Sequence, residues 1–388
     1  MTSSDNRPIL VAGGGIGGLS AALALGRRGF DVQVFERSSE AVAERGTGLT
    51  LWGNATTVLD RLGCGDEVKA AGYPITRTEI RSDTGRVLVE TPVSVVSRLT
   101  GTTSITVRRT DLQRGLYNAL QALSVPVHLG RRCTGYSAEH GGVTLLLEDG
   151  TEVPGRALIG ADGARSAIRS QLLDDGDPIP LGCPIWRGVS DGDGGLDHGL
   201  ALLIWGPRGG GIGGAHVDEK HASWTIAINS RVQRALAHGK PKDVLLDFVG
   251  DLDAHLAEAV RQTPEEAMLS AHVLVRKPAA NWGMGPVTLL GDAAHAMPTA
   301  LGQGGCQALE DGLMLGHCLA EADTVEAGLR GYEQRRQRRV NWLRGRIERI
   351  DRFSRLENPV LCKLRNVAAR LAPTGSPDSW KQIMTIDG

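Results

Sequence analysis

A glycine-rich stretch near the start of the chain carries the clearest chemistry in this sequence. Gly13, Gly15 and Gly18 follow the apolar run at residues 9–12, and the acidic residue Glu36 comes about twenty residues later. Gly13 allows a tight turn, Gly15 leaves the backbone open to a pyrophosphate, and Gly18 permits close packing of a helix on a strand. The Glu36 carboxylate can accept hydrogen bonds from both hydroxyls of an adenosine ribose. The spacing therefore predicts a site for a dinucleotide, either NAD or FAD.

The residues around this stretch have the pattern of a βαβ unit, which would hold the glycines and the acid in place. Residues 9–12 are typical of a buried parallel strand, residues 19–28 have helix periodicity, and residues 31–35 alternate into a second strand. The free N–H groups and the positive dipole end of the helix would face the pyrophosphate. The chain has 52 glycines, so the triplet alone is a weak signal, but the strand, helix, second strand and acid agree with it.

Composition limits the classes of function. The chain has 388 residues and a formal net charge of −1, which favours no nucleic-acid partner. Residues 1–7 are polar, and no apolar run reaches about eighteen residues, so we expect no signal peptide, no spanning helix and no membrane partner. The six cysteines form no Cys-x-x-Cys pair, and no histidine cluster accompanies them. We therefore expect no metal site and no disulfide, and reduced thiols fit a cytoplasmic protein.

Two later strands also end in loops that could bind a cofactor. Residues 157–159 lead into Gly-Ala-Asp-Gly-Ala-Arg-Ser, and residues 287–290 lead into Gly-Asp-Ala-Ala-His. Between them, residues 181–275 change to short strands and one helix, predicted over residues 241–260, which indicates a separate β-rich layer. Residues 324–352 predict a long arginine-rich helix with a solvated basic face, and the tail predicts one short final helix.

Three segments that lie far apart in the sequence together resemble the single-component FAD-dependent aromatic hydroxylases, the group A flavoprotein monooxygenases. They are the glycine-rich stretch with its acid, the Gly-Ala-Asp-Gly-x-Arg-Ser motif at residues 160–166, and the motif at residues 291–306. The triple is far more specific than any one motif, and the resemblance covers about residues 8–345. The form of residues 304–311 is most similar to the branch that contains salicylate hydroxylases, zeaxanthin epoxidase and the urate hydroxylase.

The resemblance implies how a non-covalent FAD would be held. The first motif would hold the adenosine and pyrophosphate, and Asp292 would accept a hydrogen bond from a ribityl hydroxyl. The helix starting near Gly304 would point its positive dipole end at the pyrimidine edge of the isoalloxazine and stabilise the reduced flavin. Arg109 matches an arginine that contacts the flavin nucleotide, and Arg45 matches a flavin-loop position loosely, with a surface role as its alternative. Asp162 matches a fingerprint for FAD and reduced nicotinamide, with a helix cap as its alternative.

The predicted cofactor-binding residues are therefore Gly13, Gly15, Ile16, Gly17, Gly18, Glu36, Arg37, Arg45, Gly48, Arg109, Asp162, Asp292, Gly302, Gly304 and Gly305. One residue departs from the family pattern. The family usually has proline at the position of Thr299, near the place where oxygen meets the flavin, and this chain has Pro298 instead. This displacement would shift a backbone carbonyl beside the flavin.

The predicted fold class is α/β, with a Rossmann-type FAD-binding domain, an inserted β-sheet substrate domain and a C-terminal helical segment. The predicted boundaries are 1–75, 101–180 and 276–325 for a discontinuous FAD-binding domain, 76–100 and 181–275 for the substrate domain, and 326–388 for the C-terminal helices. The chain has no second nucleotide-binding pattern, so the nicotinamide cofactor would bind transiently without a domain of its own.

The substrate cavity is expected between the flavin and the sheet at residues 185–230. Candidates to line it are Arg187, Trp205, His216, Trp224, Met297 and Pro298, each with ordinary core or surface placement as the alternative. No side-chain base can be assigned. The urate-hydroxylating branch uses a basic residue near this sheet, where this chain has glycines at residues 209–211, which weakens a urate assignment.

The activity implied by the resemblance is that of a monooxygenase. NAD(P)H would reduce FAD, dioxygen would add at the flavin C4a carbon, and the hydroperoxide would hydroxylate or epoxidise an organic substrate. The resemblance implies a small to medium, aromatic or polycyclic substrate. The low aromatic content of 4% and the glycine-rich sheet favour a roomy pocket, as for a polycyclic or secondary-metabolite substrate. The alternatives are an FAD-dependent reductase or dehydrogenase without oxygen insertion, and a non-catalytic flavin-binding redox sensor. We expect a monomer or a homodimer.

Overall fold

The computed structural model describes residues 6–42, 47–139, 141–371 and 377–386. Its strands in chain order are β1 Ile9–Ala12, β2 Val32–Phe35, β3 Gly48–Leu51, β4 Tyr73–Pro74, β5 Arg77–Ser82, β6 Val87–Pro92, β7 Ile105–Arg108, β8 Val127–His128, β9 Cys133–Glu139, β10 Gly142–Leu147, β11 Glu152–Gly155, β12 Ala157–Gly160, β13 Ile179–Val189, β14 Leu200–Trp205, β15 Gly211–His216, β16 Ala222–Ala227, β17 Leu269–Val275, β18 Gly283–Met284 and β19 Val287–Leu289.

Its helices in chain order are α1 Ile16–Gly26, α2 Gly53–Leu62, α3 Gly65–Ala70, α4 Val93–Thr100, α5 Arg109–Ala122, α6 Ala167–Leu173, α7 Ser230–Leu236, α8 Pro241–Gly250, α9 Ala254–Arg261, α10 Asp292–His295, α11 Gly304–Glu321, α12 Val325–Ser354, α13 Pro359–Leu371 and α14 Pro377–Met384. Two short 3₁₀ turns, Pro207–Gly209 and Glu265–Ala267, join them.

A six-stranded sheet forms the centre of the first layer. Its order is β18-β19-β12-β1-β2-β8, and β1 pairs in parallel with both β2 and β12. Each residue of β1 is fully buried. The side chain of Leu10 packs against strand β11, where a Cβ added to Gly155 would lie 2.6 Å from its Cγ. The short apolar runs at residues 9–12, 157–159 and 287–290 form strands, as predicted, and the structure shows that these strands are parallel neighbours.

Helices α1 and α11 lie against each other and run in the same direction. A Cβ added to Gly312 would lie 2.4 Å from the Ser20 hydroxyl, and one added to Gly316 would lie 2.9 Å from the Cβ of Ala24. At the start of both helices, Gly305 lies beside Ile16. Because the contacts advance together along both helices, their N-termini are at the same end. Two positive dipole ends therefore point to one region of the molecule.

A seven-stranded, mostly antiparallel sheet forms the second layer. Its order is β17-β13-β16-β15-β14-β5-β6. One of its faces packs on α8 and α9 and builds a second core, which includes Leu202, Ile212 and Trp224. The opposite face meets the short strand β3, where a Cβ added to Gly48 would lie 2.2 Å from the Cβ of Ser223. The second sheet therefore turns one face to its own helices and the other to the first layer.

Three expectations about the helices were wrong. Residues 241–260 form two helices, α8 and α9, because the Asp253 carboxylate accepts hydrogen bonds from the N–H groups of His255 and Leu256 and starts a new helix. The tail forms two helices, α13 and α14, rather than one. The basic run on α12 is not uniformly solvated, because the Arg336 side chain is only 2% exposed.

The predicted α/β class, with an inserted sheet and C-terminal helices, is confirmed, while the domain boundaries stay predictions. Among the described helices, none combines the length and the apolar character needed to cross a bilayer.

Candidate functional site

Four parallel strands end at one edge of the first sheet. Ala12 at the end of β1 pairs with Phe35 of β2 and with Gly160 of β12, and Gly160 pairs with Leu289 of β19. The loops that follow these strands therefore leave the sheet side by side. This edge brings together the glycine-rich turn, the acidic residue after β2 and both later motifs, as the sequence pattern indicated. The carboxyl edge of a parallel sheet is where α/β proteins bind their ligands.

The glycines of the first turn have three different surroundings. Gly13 has a φ of +107°, and a Cβ added there would lie 2.4 Å from the Ala161 carbonyl oxygen. A Cβ on Gly18 would lie 1.9 Å from the Gly13 carbonyl oxygen, so this glycine lets α1 pack on the turn. A Cβ on Gly15 would meet nothing within 4 Å. Gly15 therefore leaves open space at the start of α1, where a pyrophosphate can approach the backbone.

Glu36 is held beside this turn by two backbone donors. Its Oε2 accepts a hydrogen bond from the Gly14 N–H at 2.6 Å, and its Oε1 accepts one from the Ser38 N–H at 2.8 Å. Each oxygen keeps further acceptor capacity, so the carboxylate is oriented and can still receive ribose hydroxyls. Arg37 follows on the surface and is exposed.

Open space also lies at the N-terminus of α11. A Cβ added to Gly304 would meet nothing within 4 Å, and one added to Gly305 would make only ordinary contacts with Leu49 and Ile16. Gln303, just before the helix, is buried, and its amide nitrogen has no hydrogen-bond partner among the described residues. Its amide oxygen accepts from Asn54 at 3.1 Å, which fixes the orientation of the amide. The sequence did not single out Gln303 or Asn54 as site residues.

Asp292 is exposed at the start of the short helix α10, and its carboxylate has no hydrogen-bond partner within the described ranges. The backbone around it is fixed from two sides. Arg169, which is fully buried, donates to the carbonyl oxygens of Ala293 and Ala294 at 3.0 and 2.7 Å. Asp311 accepts from the N–H of Gly291 at 2.9 Å. A rigid backbone therefore presents a free carboxylate at the edge of the site.

A buried ionic cluster lies behind this loop. It consists of Glu310 and Asp311 on α11, Arg336 and Arg339 on α12, and His295 at the end of α10. Arg336 donates to Asp311 at 2.6 Å and to Glu310 at 2.7 Å, and Arg339 donates to Glu310 at 2.6 Å. His295 Nε2 donates to Asp311 at 2.6 Å. The cluster connects the Asp292 loop to the two long helices α11 and α12. The sequence had instead predicted that the basic residues of α12 form a solvated face.

The charges of this cluster outweigh the effect of burial on its acids. Burial raises the pKa of the Asp311 carboxyl, but the facing His295 and Arg336 outweigh it and bring this pKa down to about 2. Glu310 behaves in the same way: burial raises its pKa, and Arg336 and Arg339 lower it below its usual range. Both acids are therefore ionised at neutral pH.

Asp162 caps a helix. Its Oδ2 accepts from the Ala167 N–H at 2.7 Å, and its Oδ1 accepts from the Ser166 hydroxyl. Burial outweighs these hydrogen bonds and raises its pKa. The helix-cap alternative is thus what its side-chain contacts support, and a role in FAD or nicotinamide binding stays a prediction. The loop still borders the cofactor site, because Gly13 packs against Asp162 Cα.

Helix α5 brings a second group of residues to the glycine-rich turn. Gln113, which the sequence did not single out, donates to the Gly14 carbonyl oxygen at 3.2 Å. Arg109 lies one turn earlier and is exposed, and its N–H donates to the Thr47 carbonyl oxygen at 2.9 Å. The sequence could have identified Gln113 by its spacing, because residues four apart share a helix face and Gln113 follows Arg109 at that distance. Arg45, a loose candidate, lies outside the described residues.

Arg187 is the substrate-pocket candidate whose position best fits the prediction. It pairs with Thr225 in the second sheet, so it shares a face with Ser223, the residue that contacts Gly48 in the first layer. Burial and the charge of Arg109 lower the pKa of Arg187, which places the two arginines near each other. No acidic partner of Arg187 is present in the part of the chain that the structure describes.

The other candidates have different surroundings. Trp224 and His216 differ from the expectation because they are on the helix side of the sheet: the Trp224 ring N–H donates to Thr263 at 2.8 Å, and His216 contacts the Leu196 carbonyl oxygen at 3.0 Å. Trp205 is on the cofactor-facing side, but the guanidinium of Arg365 covers its ring. Met297 and Pro298 are buried directly after α10, and their contact with a substrate stays a prediction.

The site fits an elongated dinucleotide that is held at both ends. Gly15 and Gly304 leave free space at two parallel helix N-termini. Glu36 lies at one end of this space, and Asp292 lies at the other with the Gln303 amide nitrogen, which has no partner among the described residues. FAD has acceptors for these donors and hydroxyls for these carboxylates. The fold and the site thus define an α/β dinucleotide-binding protein whose cofactor edge faces a second, antiparallel sheet.

Comparisons with known proteins identify the family. The FAD binding domain family matches residues 6–174 and 218–344. The chain is 33% identical to the aurachin C monooxygenase/isomerase of Stigmatella aurantiaca, over 96% of each protein, and 29% identical to the 2-heptyl-3-hydroxy-4(1H)-quinolone synthase of Pseudomonas aeruginosa, over 95% of each. The crystal structure of a variant of HpxO from Klebsiella pneumoniae, complexed with FAD, matches with a TM-score of 0.83 at 25% identity, covering 97% of both chains.

The chain therefore belongs to the FAD binding domain family, within the group A flavoprotein monooxygenases, and it is an FAD-dependent monooxygenase.

Proposed function

We propose that this enzyme is an NAD(P)H-dependent monooxygenase that hydroxylates or epoxidises a small to medium aromatic or polycyclic substrate, with the flavin C4a-hydroperoxide as oxygen donor. The observation that carries this proposal is the convergence of three motif loops at one sheet edge, opposite the glycine-rich face of the second sheet. When bound, FAD would supply the redox chemistry. The chain would orient FAD and substrate and exclude water.

The residues that would hold FAD have distinct roles. The backbone at Gly15 would bind the pyrophosphate, the Glu36 carboxylate the adenosine ribose, and the Asp292 carboxylate a ribityl hydroxyl. The N-terminus of α11 would stabilise negative charge on the reduced pyrimidine ring. These assignments are supported by the open space at Gly15 and Gly304 and by the free carboxylate of Asp292.

The substrate would lie on the face of the second sheet that carries Arg187. Next to it on this face are Thr225 and Gly213, which are directly opposite one another. The missing side chain at Gly213 leaves room for a flat ring system. Because Arg187 is half-buried without an acidic partner among the described residues, its guanidinium favours a substrate with an anionic or strongly accepting oxygen. A phenolate, a carboxylate or a quinolone oxygen meets this requirement.

The test measures oxygen chemistry directly. FAD-loaded enzyme is mixed with NADH or NADPH and labelled dioxygen, with 2-heptyl-4(1H)-quinolone or salicylate as substrate. We expect substrate-stimulated oxygen uptake and a product that contains one labelled oxygen atom. Flavin reduction without oxygen uptake would show a reductase, and no reduction by either nicotinamide would show a flavin-binding sensor.

The role of Arg187 is tested separately. Arg187→Met should raise the KM for a substrate with an anionic oxygen at least about tenfold, since a charge-assisted hydrogen bond contributes roughly 1.5–3 kcal/mol. Arg187→Lys should restore part of the loss because it keeps the charge. The FAD content should stay unchanged in both variants. An unchanged KM in Arg187→Met would place the substrate elsewhere.

A further inference from the structure

Helix α13 is oriented with its polar side towards the protein and its apolar side towards solvent. Val360, Leu364, Val367 and Leu371 recur at the spacing of one helix face, and they are 66%, 60%, 53% and 79% exposed. The side that faces the protein instead carries Cys362 and Arg365, which are buried, together with the half-buried Asn366 and Ala369. An amphipathic helix in a globular protein normally buries its apolar side. This helix therefore presents a surface that fits an apolar partner.

The orientation of α13 is fixed by contacts on its inner side. The Arg365 guanidinium lies 5.0 Å from the centre of the Trp205 ring, and its Nη1 donates to the Ser354 carbonyl oxygen at 3.1 Å. The Cys362 thiol donates to the Leu356 carbonyl oxygen at 2.9 Å. These contacts hold the polar side on the protein, so the helix cannot bury its stripe of valines and leucines by rotating without losing them.

Basic residues surround the apolar stripe. Residues 335–371 contain twelve basic residues and three acidic ones, although the whole chain has a net charge of −1. Three of these arginines, Arg336, Arg344 and Arg365, are buried. Lys363 and Arg370, seven residues apart, are exposed along one border of the stripe, and neither has an ion-pair partner among the described residues. Cations along the border of an apolar stripe are typical of helices that lie on anionic membranes.

A cleft at the beginning of α13 adds a second basic feature. It has a volume of about 430 Å³ and is lined by Arg208, Arg231 and Arg234 together with residues 357–359, which lead directly into the stripe. The three arginines are exposed and have no ion-pair partner within the described ranges, and Glu357 is the acid in the lining. Three guanidinium groups at such a cleft suit a phosphate group.

We propose that α13 and the adjoining arginine cleft dock the enzyme peripherally on an anionic phospholipid surface. The stripe would insert among the headgroups, while the cleft, Lys363 and Arg370 would contact lipid phosphates. A second copy of the chain fits less well, because pairing two such surfaces would bring their cations together. Our expectation of no membrane partner rested on the lack of a spanning helix, which does not bear on a helix that lies in the interface. The proposal does not depend on the substrate.

Vesicle flotation tests this proposal with the full FAD-loaded enzyme. We expect it to float with vesicles of phosphatidylcholine and phosphatidylglycerol in equal parts, to float poorly with phosphatidylcholine alone, and to be released by high salt. The double variant Leu364→Glu with Val367→Glu, and the double variant Arg231→Glu with Arg234→Glu, should each lower the partition coefficient at least about tenfold.

Control variants carry single substitutions of the same two types outside this surface. Met284→Glu replaces an apolar residue that is 68% exposed on β18, and Arg27→Glu reverses an exposed charge directly after α1. Both should float like the parent enzyme, and all variants should keep their FAD content and melting temperature. The proposal is overturned if the parent enzyme does not float with anionic vesicles, or if the control variants lose as much binding as the two double variants. It is also overturned if light scattering shows a dimer that Leu364→Glu dissociates.

Discussion

At the scale of single residues, the glycines of the first motif have different roles. At Gly13 and Gly18, an added Cβ would lie within 2.4 Å of a backbone oxygen, so the fold itself requires glycine at both positions. Gly15 has ordinary dihedral angles, with φ at −75°, and open space beside it. The fold does not require glycine there, and the open space is what the proposed approach of the pyrophosphate to Gly15 needs.

Replacing Gly15 separates binding from folding. Gly15→Ala should weaken FAD binding at least tenfold, or about 1.4 kcal/mol, because the new methyl group occupies the space of the pyrophosphate. The melting temperature of the FAD-free protein should stay unchanged. Gly345→Ala, which also adds a methyl group into open space, is the control and should bind FAD normally. Equal FAD affinity in both variants would move the pyrophosphate away from Gly15.

Asp311 gives stability a defined pH dependence. Its pKa of about 2 in the folded protein is below the value of about 3.9 in an unfolded chain, so its contribution is present above that value and is lost as the pH falls from about 5 to 2. The loss should be about 2 kcal/mol in the free energy of unfolding, measured by urea titration. The raised pKa of Asp162 changes stability with pH in the opposite direction. The parent is therefore compared with Asp311→Asn, whose free energy of unfolding should depend less on pH over this range.

At the scale of elements, α12 holds the helices around the cofactor edge. Arg336 links it to α11, and Arg339 reaches α14, donating to the Ile383 carbonyl oxygen at 2.8 Å. Helix α14 in turn places Trp380 beside Trp52, whose ring N–H donates to the Leu301 carbonyl oxygen in the flavin loop. The C-terminal helices therefore support the loop from behind.

The buried position of Arg336 can be tested against an exposed neighbour. Arg336→Met leaves Glu310 and Asp311 buried without this guanidinium, and it should cost about 3–5 kcal/mol of unfolding free energy. Arg338→Met changes the same residue type on the exposed side of α12 and should cost less than about 0.5 kcal/mol. Chemical denaturation measures both. If the two variants are equally stable, Arg336 contributes no more than an exposed arginine, as expected for a solvated helix face.

At the scale of the whole molecule, the proposed function requires the second sheet to cover the cofactor edge. The two layers pack tightly at Gly48, where an added Cβ would lie 2.2 Å from the Cβ of Ser223. Gly48 was a predicted cofactor-binding residue, and its contacts give it a packing role between the sheets. Substrate and flavin would meet in the space that this contact closes.

Gly48→Ala should loosen the packing between the two layers at Ser223. The added methyl group would overlap the Ser223 side chain, which should cost about 1–3 kcal/mol and let water in. More of the NAD(P)H consumed should then end as hydrogen peroxide rather than product. Adding Ser223→Gly restores the space, so the double variant should recover both stability and coupling. Failure of this rescue would show that Gly48 acts by contacting FAD instead.

The sequence by itself determined the strand ends, the glycine turn, the acid at Glu36 and the family, because these depend on short-range spacing and on motifs. Only the tertiary structure decided which way side chains face. Alternation predicts that Trp224 and Thr225 lie on opposite sides of a strand, but only the packing of α8 and α9 shows that Trp224 is on the helix side.

The same reason explains Arg336 and α13. Helix periodicity separates a polar from an apolar side, yet it cannot say which side another element covers. Arg336 is buried because two acids from α11 face it, and Leu364 is exposed because Arg365 has its partners on the protein side. Such partners come from distant parts of the chain, so the burial of a side chain is a property of the assembled fold.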